Sequence, residues 1–441
     1  MKTTTSSSKL FSKDFTIIAI GQLISLLGNS LQRYALSLYI LDLTGSAAIF
    51  STILAISVLP SIILAPFGGA IADRLSKKNI MVILDFFSAS LLFVFALLIG
   101  QNTHQVVLVG ILTCTLGVIQ SFYDPSVRAS IPAVVAKENL GKANGIVTQI
   151  SAITALIGPI AAGFLYGLFG IESIFTINII SFFLSAVMEL FLTIPYTKTP
   201  LEGNILITFT KDIRHTFTYL ICEKKLILKI LLFACASNLF LTPIYTVGVP
   251  YVEKIIFHVT DGMYGISEAF LSVGMIIGSM LVGVAQKKIP FRKTYVHFIS
   301  IAFVVIAMGA TTLSFLSTGD QINYLSYVLF TITGFLLALF IAIVNIVFMT
   351  FLQLHTPQDK MGKVMALVTA ISTALMPIGS IAFGFLYETF KANLIFLYLF
   401  VSAITFGVTY LFSRTLSHAD AKEIDLPEEA TVPETATTIN E

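Results

Sequence analysis

Charge is the scarcest commodity in this chain. Of its 441 residues, 11% are Asp, Glu, Lys or Arg, against about a quarter in an ordinary soluble domain. With 56% of residues hydrophobic and a mean hydropathy of +0.91, too little polar material remains to coat a molecule in water. Lipid must cover most of the outside, so an integral membrane protein is expected. Cysteine is sparse too. Cys114, Cys222 and Cys235 are scattered and odd in number, and read as free thiols rather than a disulfide framework or a metal site. The six histidines form no His-Glu-x-x-His or similar cluster, so a membrane-embedded metalloenzyme is not expected. No Gly-x4-Gly-Lys-Ser/Thr phosphate loop occurs, which excludes an ATP-driven pump encoded on this chain. No cofactor is called for. The cations are spread over many segments rather than gathered in one patch, so no nucleic-acid partner is expected. The start, "MKTTTSSSKLFSKDF", lacks a small-residue cleavage site after a short apolar core and reads as a retained tail.

What is present is long apolar runs. A helix needs about 20 apolar residues to cross a hydrocarbon layer of roughly 30 Å. On that ruler the chain makes twelve crossings, near Phe15–Leu41, Ile49–Ile71, Ile80–Ile99, Val106–Phe122, Ile146–Leu168, Ile174–Ile194, Ile227–Val252, Ile266–Ala285, Tyr295–Leu316, Ile322–Leu352, Val364–Tyr387 and Leu394–Phe412. The expected organisation is an N-terminal tail (1–14), a six-helix half (15–194), a linker (195–226), a second six-helix half (227–412) and an acidic, Pro/Thr-rich disordered tail (413–441). All of the 26 Lys and Arg except Lys254, Lys391 and Arg33 fall on one set of alternating segments, the tails included. Positive charge accumulates inside, so both termini are expected in the cytoplasm.

The chain repeats itself. "GKANGIVTQISAITALIGPIAAGFLY", Gly141–Tyr166, aligns without gaps to "GKVMALVTAISTALMPIGSIAFGFLY", Gly362–Tyr387, with 14 of 26 positions identical and an offset of 221 residues. Spans 5 and 11 are therefore equivalent, and the two halves run in parallel through the membrane.

The turn between spans 2 and 3 reads "GGAIADRLSKKN". It resembles the hallmark loop of the major facilitator superfamily, Gly-x-x-x-Asp-Arg-x-Gly-Arg-Lys. Gly69, Asp73, Arg74, Lys77 and Lys78 match, while Ser76 replaces the second Gly. The resemblance implies an all-α fold of two six-helix halves, with Asp73 facing the N-terminal dipole of span 11. Gly69 permits close helix approach, and Lys77 can pair with Asp73 and with Asp124. Such a cluster would latch the halves on the cytoplasmic side when the cavity opens outward. The corresponding second-half loop, "VAQKKIPFRK", keeps the cations but lacks the acid.

Span 5 is similar to the motif of drug-antiporter members, Gly-x8-Gly-x3-Gly-Pro-x2-Gly-Gly. It carries Gly145, Thr154, Gly158, Pro159, Ala162 and Gly163, with Thr154 and Ala162 standing in for glycines. This implies export. The chain further resembles the branch that holds macrolide-efflux proteins and the enterobactin exporter, through "ILDLTGSAA", "PFGGAIADRLSKKNIMVILD", "FYDPSVRASIPAVVAKENLGKANG" and "MPIGSIAFGFLY".

Ionisable residues at membrane depth are costly and usually functional. Arg33 of span 1 and Glu268 of span 8 lie at compatible depths, and the family's cavity is lined by helices 1, 2, 4, 5, 7, 8, 10 and 11. The two are expected to pair, with Glu268 the proton carrier, since moving a cation away from a carboxyl in an apolar cavity lets it load a proton. Glu268 can equally face water near the headgroups. Asn29, Gln149, Asn238 and Asn345 are on cavity helices and can bond either cargo or a neighbouring helix. Asp85 of span 3 is expected to support the cluster of Asp73, and Glu189 of span 6 to snorkel to the cytoplasm. The sum is a proton-driven exporter of lipophilic or amphipathic small molecules, working as a monomer in the plasma membrane. Export of an endogenous siderophore or lipid-like metabolite is the alternative, and proton-symport uptake a third.

Overall fold

The computed structural model describes residues 11–72, 75–99, 104–194, 205–222, 224–285, 291–313 and 322–418. Among these, eleven helical segments are long and apolar enough to cross a membrane. They are α1 (Lys13–Thr44), α2 (Ala47–Ala72), α3 (Lys77–Leu98), α4 (Gln105–Val134), α5 (Leu140–Glu189), α7 (Lys225–Ile256), α8 (Asp261–Ala285), α9 (Thr294–Ala310), α10 (Tyr324–His355), α11 (Gln358–Thr389) and α12 (Ile395–His418), with α6 (Ile205–Cys222) between the halves.

Helix α5 has 50 residues, about 75 Å if straight, which is more than twice the hydrocarbon thickness. It breaks at Gly170, where φ 72° and ψ −179° lie outside helical space and favour a residue without Cβ. Contacts with α1 fix the direction of its two arms. Going up α1, Ser30 meets Gly158 and Asp42 meets Tyr166, so the first arm runs parallel to α1. Gly21 meets Glu189, Ser25 meets Ser185 and Gln32 meets Asn178, so the second arm runs antiparallel. Gly170 is a hairpin between two crossings, so the described helices make twelve crossings. Both described ends, near Phe11 and His418, thus lie on one side, here the terminus side; the turn at Gly45 is on the far side.

Local chemistry sets the other ends. Ser12 accepts from the Phe15 N–H at 3.2 Å and opens α1, and Gly45 at φ 62° closes it. Ser76 caps α3 through the Asn79 N–H. Helix α7 widens into π turns at Ser237–Leu241, Ile244–Gly248 and Val252–Ile256. Pro243 supplies no N–H for the carbonyl one turn back, that of Leu239. Gly379 of α11 packs onto that carbonyl, where a Cβ would come within 2.5 Å of the Leu239 oxygen.

The repeat is visible in the packing. Gly158 of α5 rests on Ser30 of α1, and its equivalent Gly379 rests on α7, each within its own half. Gly163 meets Gly265 of α8, and its equivalent Gly384 meets Ala47, Ala48 and Ser51 of α2, each across to the other half. Small residues bring these helices to backbone contact. In the largest apolar core, the fully buried residues contributed by the first five helices are Leu38, Leu41, Ala47, Phe50 and Leu54, all in the far-side portions of α1 and α2. Among the described residues, the halves are therefore sealed together on the far side.

The stretch expected as a linker contains the helix α6, Ile205–Cys222. One expectation about the chain's interior is corrected. Glu189 does not snorkel: it is fully buried and accepts a hydrogen bond from the Tyr123 hydroxyl at 2.7 Å, because the second arm turns its last residue inward against α1 and α4.

Candidate functional site

A cavity of about 290 Å³ opens between α1, α2, α4 and α5, lined by Leu26, Asn29, Ser30, Gln32, Arg33, Ser57, Ser61, Thr113, Leu116, Gly117, Gln120, Asp124, Ser151 and Thr154. Every lining residue comes from the first half, and eleven of the fourteen carry polar side chains, with the apolar parts of those side chains forming much of the wall. Asn29 Nδ2 donates to Gln120 Oε1, and Gln120 Nε2 in turn donates to Asp124. Asp124 thus belongs to the cavity. No Lys77–Asp124 pair forms among the described residues, and the Gln120 amide one turn earlier on α4 donates to Asp124 Oδ1.

Arg33 lines this cavity and also a narrow gap of about 40 Å³ shared with Thr246, Met376, Pro377 and Ser380 of the second half. Its Cζ lies 5.2 Å from the Tyr34 ring centroid, within cation–π range. Its Nε is buried without a hydrogen-bond partner among the described residues. Glu268 is half-buried and accepts from the Tyr264 hydroxyl at 2.8 Å. Arg33 and Glu268 form no direct ion pair among the described residues: Tyr264, one turn earlier on α8, occupies Glu268 Oε1, and the Tyr34 ring takes the guanidinium. Tyr34 lies within electrostatic reach of both charges.

Glu253 of α7 was not singled out from sequence. It is fully buried, and neither carboxylate oxygen has a hydrogen-bond partner among the described residues. Ser267 and Glu268 of α8 lie nearby. Its neighbour Lys254 turns the other way and joins the halves. Lys254 Nζ lies 2.6 Å from Asp42 Oδ1 of α1 and also pairs with Asp261 of α8. The Tyr166 hydroxyl donates to Asp42 Oδ2 at 2.8 Å, and its ring lies 5.5 Å from Lys254 Nζ. Glu388 of α11 reaches across to Ser46 Oγ and to the Ala48 N–H, 3.1 Å away, at the start of α2. These contacts form a polar clamp on the far side.

The remaining candidates divide. Thr154 is buried on the cavity wall with its hydroxyl bonded to the Ile150 carbonyl at 2.7 Å, and Gly158, Pro159, Ala162 and Gly163 are buried along the seams of α5. Gly145 and Gln149 are exposed towards the terminus side of α5. Asn238 bonds within α7, to the Ala234 carbonyl and Thr242, and Asn345 is exposed on α10. Gly69 is in the last turn of α2, and Lys77 and Lys78 open α3. Asp73 and Arg74 lie outside the described residues. Asp85 bonds to Ser25 at 3.0 Å, in the seam of α1 and α3.

Residues 18–380 match the Major Facilitator Superfamily. The chain belongs to this family. It is a multi-pass membrane transporter, not an enzyme. Among its relatives, Macrolide efflux protein A of Streptococcus pyogenes is 23% identical over 369 residues, covering 84% of this chain and 88% of that protein. The Staphyloferrin A transporter of Staphylococcus aureus is 20% identical over 387 residues, covering 88% and 92%. A bacterial homologue of the iron transporter ferroportin, solved in an inward-facing state, shares the fold with a TM-score of 0.65 at 17% identity, covering 90% of this chain and 98% of that one.

Proposed function

We propose that this transporter exports lipophilic or amphipathic small molecules by alternating access, driven by protons moving inward. In this reading it works as a monomer in the plasma membrane with both termini cytoplasmic. The carrying observation is the asymmetry of the seam. A polar clamp of Asp42, Lys254, Asp261 and Tyr166 joins the halves on the far side, while the cavity lies at mid-depth and towards the terminus side. With the terminus side cytoplasmic, this is a state that loads cargo from inside. Glu268 sits seven residues below the start of α8, about 10 Å, so opening the clamp exposes it to protons from outside. Closing it returns Glu268 to the reach of Tyr34 and Arg33, where a positive guanidinium favours release of the proton. Resemblance to a macrolide-efflux protein over most of both chains supports the cargo class. The test is accumulation of a radiolabelled macrolide in energised cells, with and without a protonophore. Lower accumulation than in control cells, abolished by the protonophore, supports the reading; unchanged accumulation with the protein in the membrane rejects macrolides.

One observation favours a second cargo. The cavity holds a guanidinium whose Nε is unpartnered among the described residues, which suits an anionic endogenous metabolite such as a siderophore. Arg33→Gln separates the two in equilibrium binding, which needs no proton coupling: it weakens binding of an anionic cargo and spares that of a neutral one.

A further inference from the structure

Away from the cavity, the first half buries two carboxyls that the transport scheme does not use. Asp85 of α3 is 1% exposed and Glu189 of α5 is 0% exposed. They share a seam with α1 and α4. Ser25 Oγ donates to Asp85 Oδ2 at 3.0 Å and lies 3.1 Å from Ser185 Oγ, and the Tyr123 hydroxyl donates to Glu189 Oε1 at 2.7 Å. The seam is thin, since a Cβ on Gly21 would lie 3.4 Å from Glu189 Oε1.

No cation among the described residues neutralises the pair. Helix α1 brings Ser25, α3 brings Asp85, α4 brings Tyr123, and α5 brings Ser185 and Glu189. Lys77 and Lys78 open α3 two turns before Asp85, and Arg128 is exposed on α4; none makes an ion pair here. One buried oxygen on this seam, Glu189 Oε2, lacks a partner among the described residues. The orphaned atom is an acceptor. The species missing from the seam is a hydrogen.

We infer that Asp85 and Glu189 form a proton-holding site, separate from the cargo cavity, in which the pair carries one proton and a single negative charge. Two bare carboxylates in a dry seam repel strongly and gain nothing from a counter-ion. One added proton lowers the charge from −2 to −1 and turns an orphaned acceptor into a donor. The site borders the transport path through α4, where Tyr123 faces the pair and the next residue, Asp124, faces the cavity. The inference goes beyond the proposed export and does not depend on what drives it: a carrier with another coupling ion would hold the same proton.

The test is infrared spectroscopy of the full chain in lipid nanodiscs, following the protonated-carboxyl C=O band from pH 6 to 9. At pH 7 the wild-type band is expected to lose one carboxyl's area in Glu189→Gln or Asp85→Asn. It should move to higher frequency, at unchanged area, in Tyr123→Phe, which removes a hydrogen bond without removing an acid. The wild-type melting temperature should fall as pH rises and strips the proton, and the double variant Asp85→Asn, Glu189→Gln should lose that fall. Wild-type band area in both single variants overturns the inference, as does an unshifted band in Tyr123→Phe should the acid variants fail to fold. A negative macrolide assay leaves the band in place, so the two readings fail separately.

Discussion

Glutamine at position 268 would still accept the Tyr264 hydroxyl, at 2.8 Å in the native protein, but could no longer change charge. Glu268→Gln is therefore expected to fold normally, to export slowly, and to show no change of rate between pH 6 and 8. A wild-type rate with wild-type pH dependence would remove Glu268 from the coupling scheme. Arg33→Gln tests the other charge. Loss of a charge-assisted hydrogen bond costs about 1.5–3 kcal/mol, so an anionic cargo should bind roughly ten- to a hundredfold more weakly, measured by equilibrium binding to purified protein. Both residues were legible in sequence because an ionisable side chain stands out inside an apolar run. Their environment was not legible: Tyr34 and Tyr264 look like ordinary aromatics until packing sets one beside the guanidinium and the other on the carboxylate. Glu253 escaped notice because it sits beside Lys254 near the end of a span, where a charge pair normally means the membrane surface. The π turn at Val252–Ile256 instead sends Glu253 into the core and Lys254 to the clamp.

At the scale of the element, glycine position matters more than helix propensity. A Cβ on Gly158 would come 2.0 Å from Ser30 Oγ. Gly158→Val should therefore destabilise by about 1–3 kcal/mol through overpacking, seen as a lower melting temperature. Ser30→Gly in the same chain should recover part of the loss, because the two sites touch and their effects do not add. Hydropathy alone located the spans, since the length of an apolar run is dictated by the bilayer. It could not show that the fifth and sixth spans are one helix folded at Gly170, or that α4 continues a dozen residues beyond its apolar stretch to Val134. The extension is polar on one face, buries Tyr123 and Val127 on another, and escapes a ruler that counts only apolar residues. Helix α6 was missed for the same reason, being shorter than a crossing.

For the whole molecule, the decisive quantity is the balance between states open on either side. The clamp at Lys254 bears on one of them. Lys254→Gln leaves Asp42 and Asp261 facing each other across the halves, so repulsion replaces attraction. A change of about 1.4 kcal/mol shifts the balance roughly tenfold towards far-side opening. Spin labels at Leu43 and Lys391, far-side positions on the two halves, should report a longer distance in that variant, and an unchanged distance distribution would show that the clamp does not hold the far side shut. The two-half plan was legible from the 221-residue repeat, but which half each glycine would meet was not: Gly158 and Gly163 lie on one helix, and only the folded chain sends one to its own half and the other across.

That crossing contact has a mechanical meaning. Where Gly163 meets Gly265 and Gly384 meets Ala47 and Ala48, backbone approaches backbone, and the Phe164 and Tyr264 rings lie against the facing glycines of the opposite half. Such a fulcrum is shallow. The halves can tilt about it with rings sliding over glycine rather than climbing out of deep holes, so much of the resistance to rocking falls to the charged fasteners at the rim, where salt, protons and cargo can reach it.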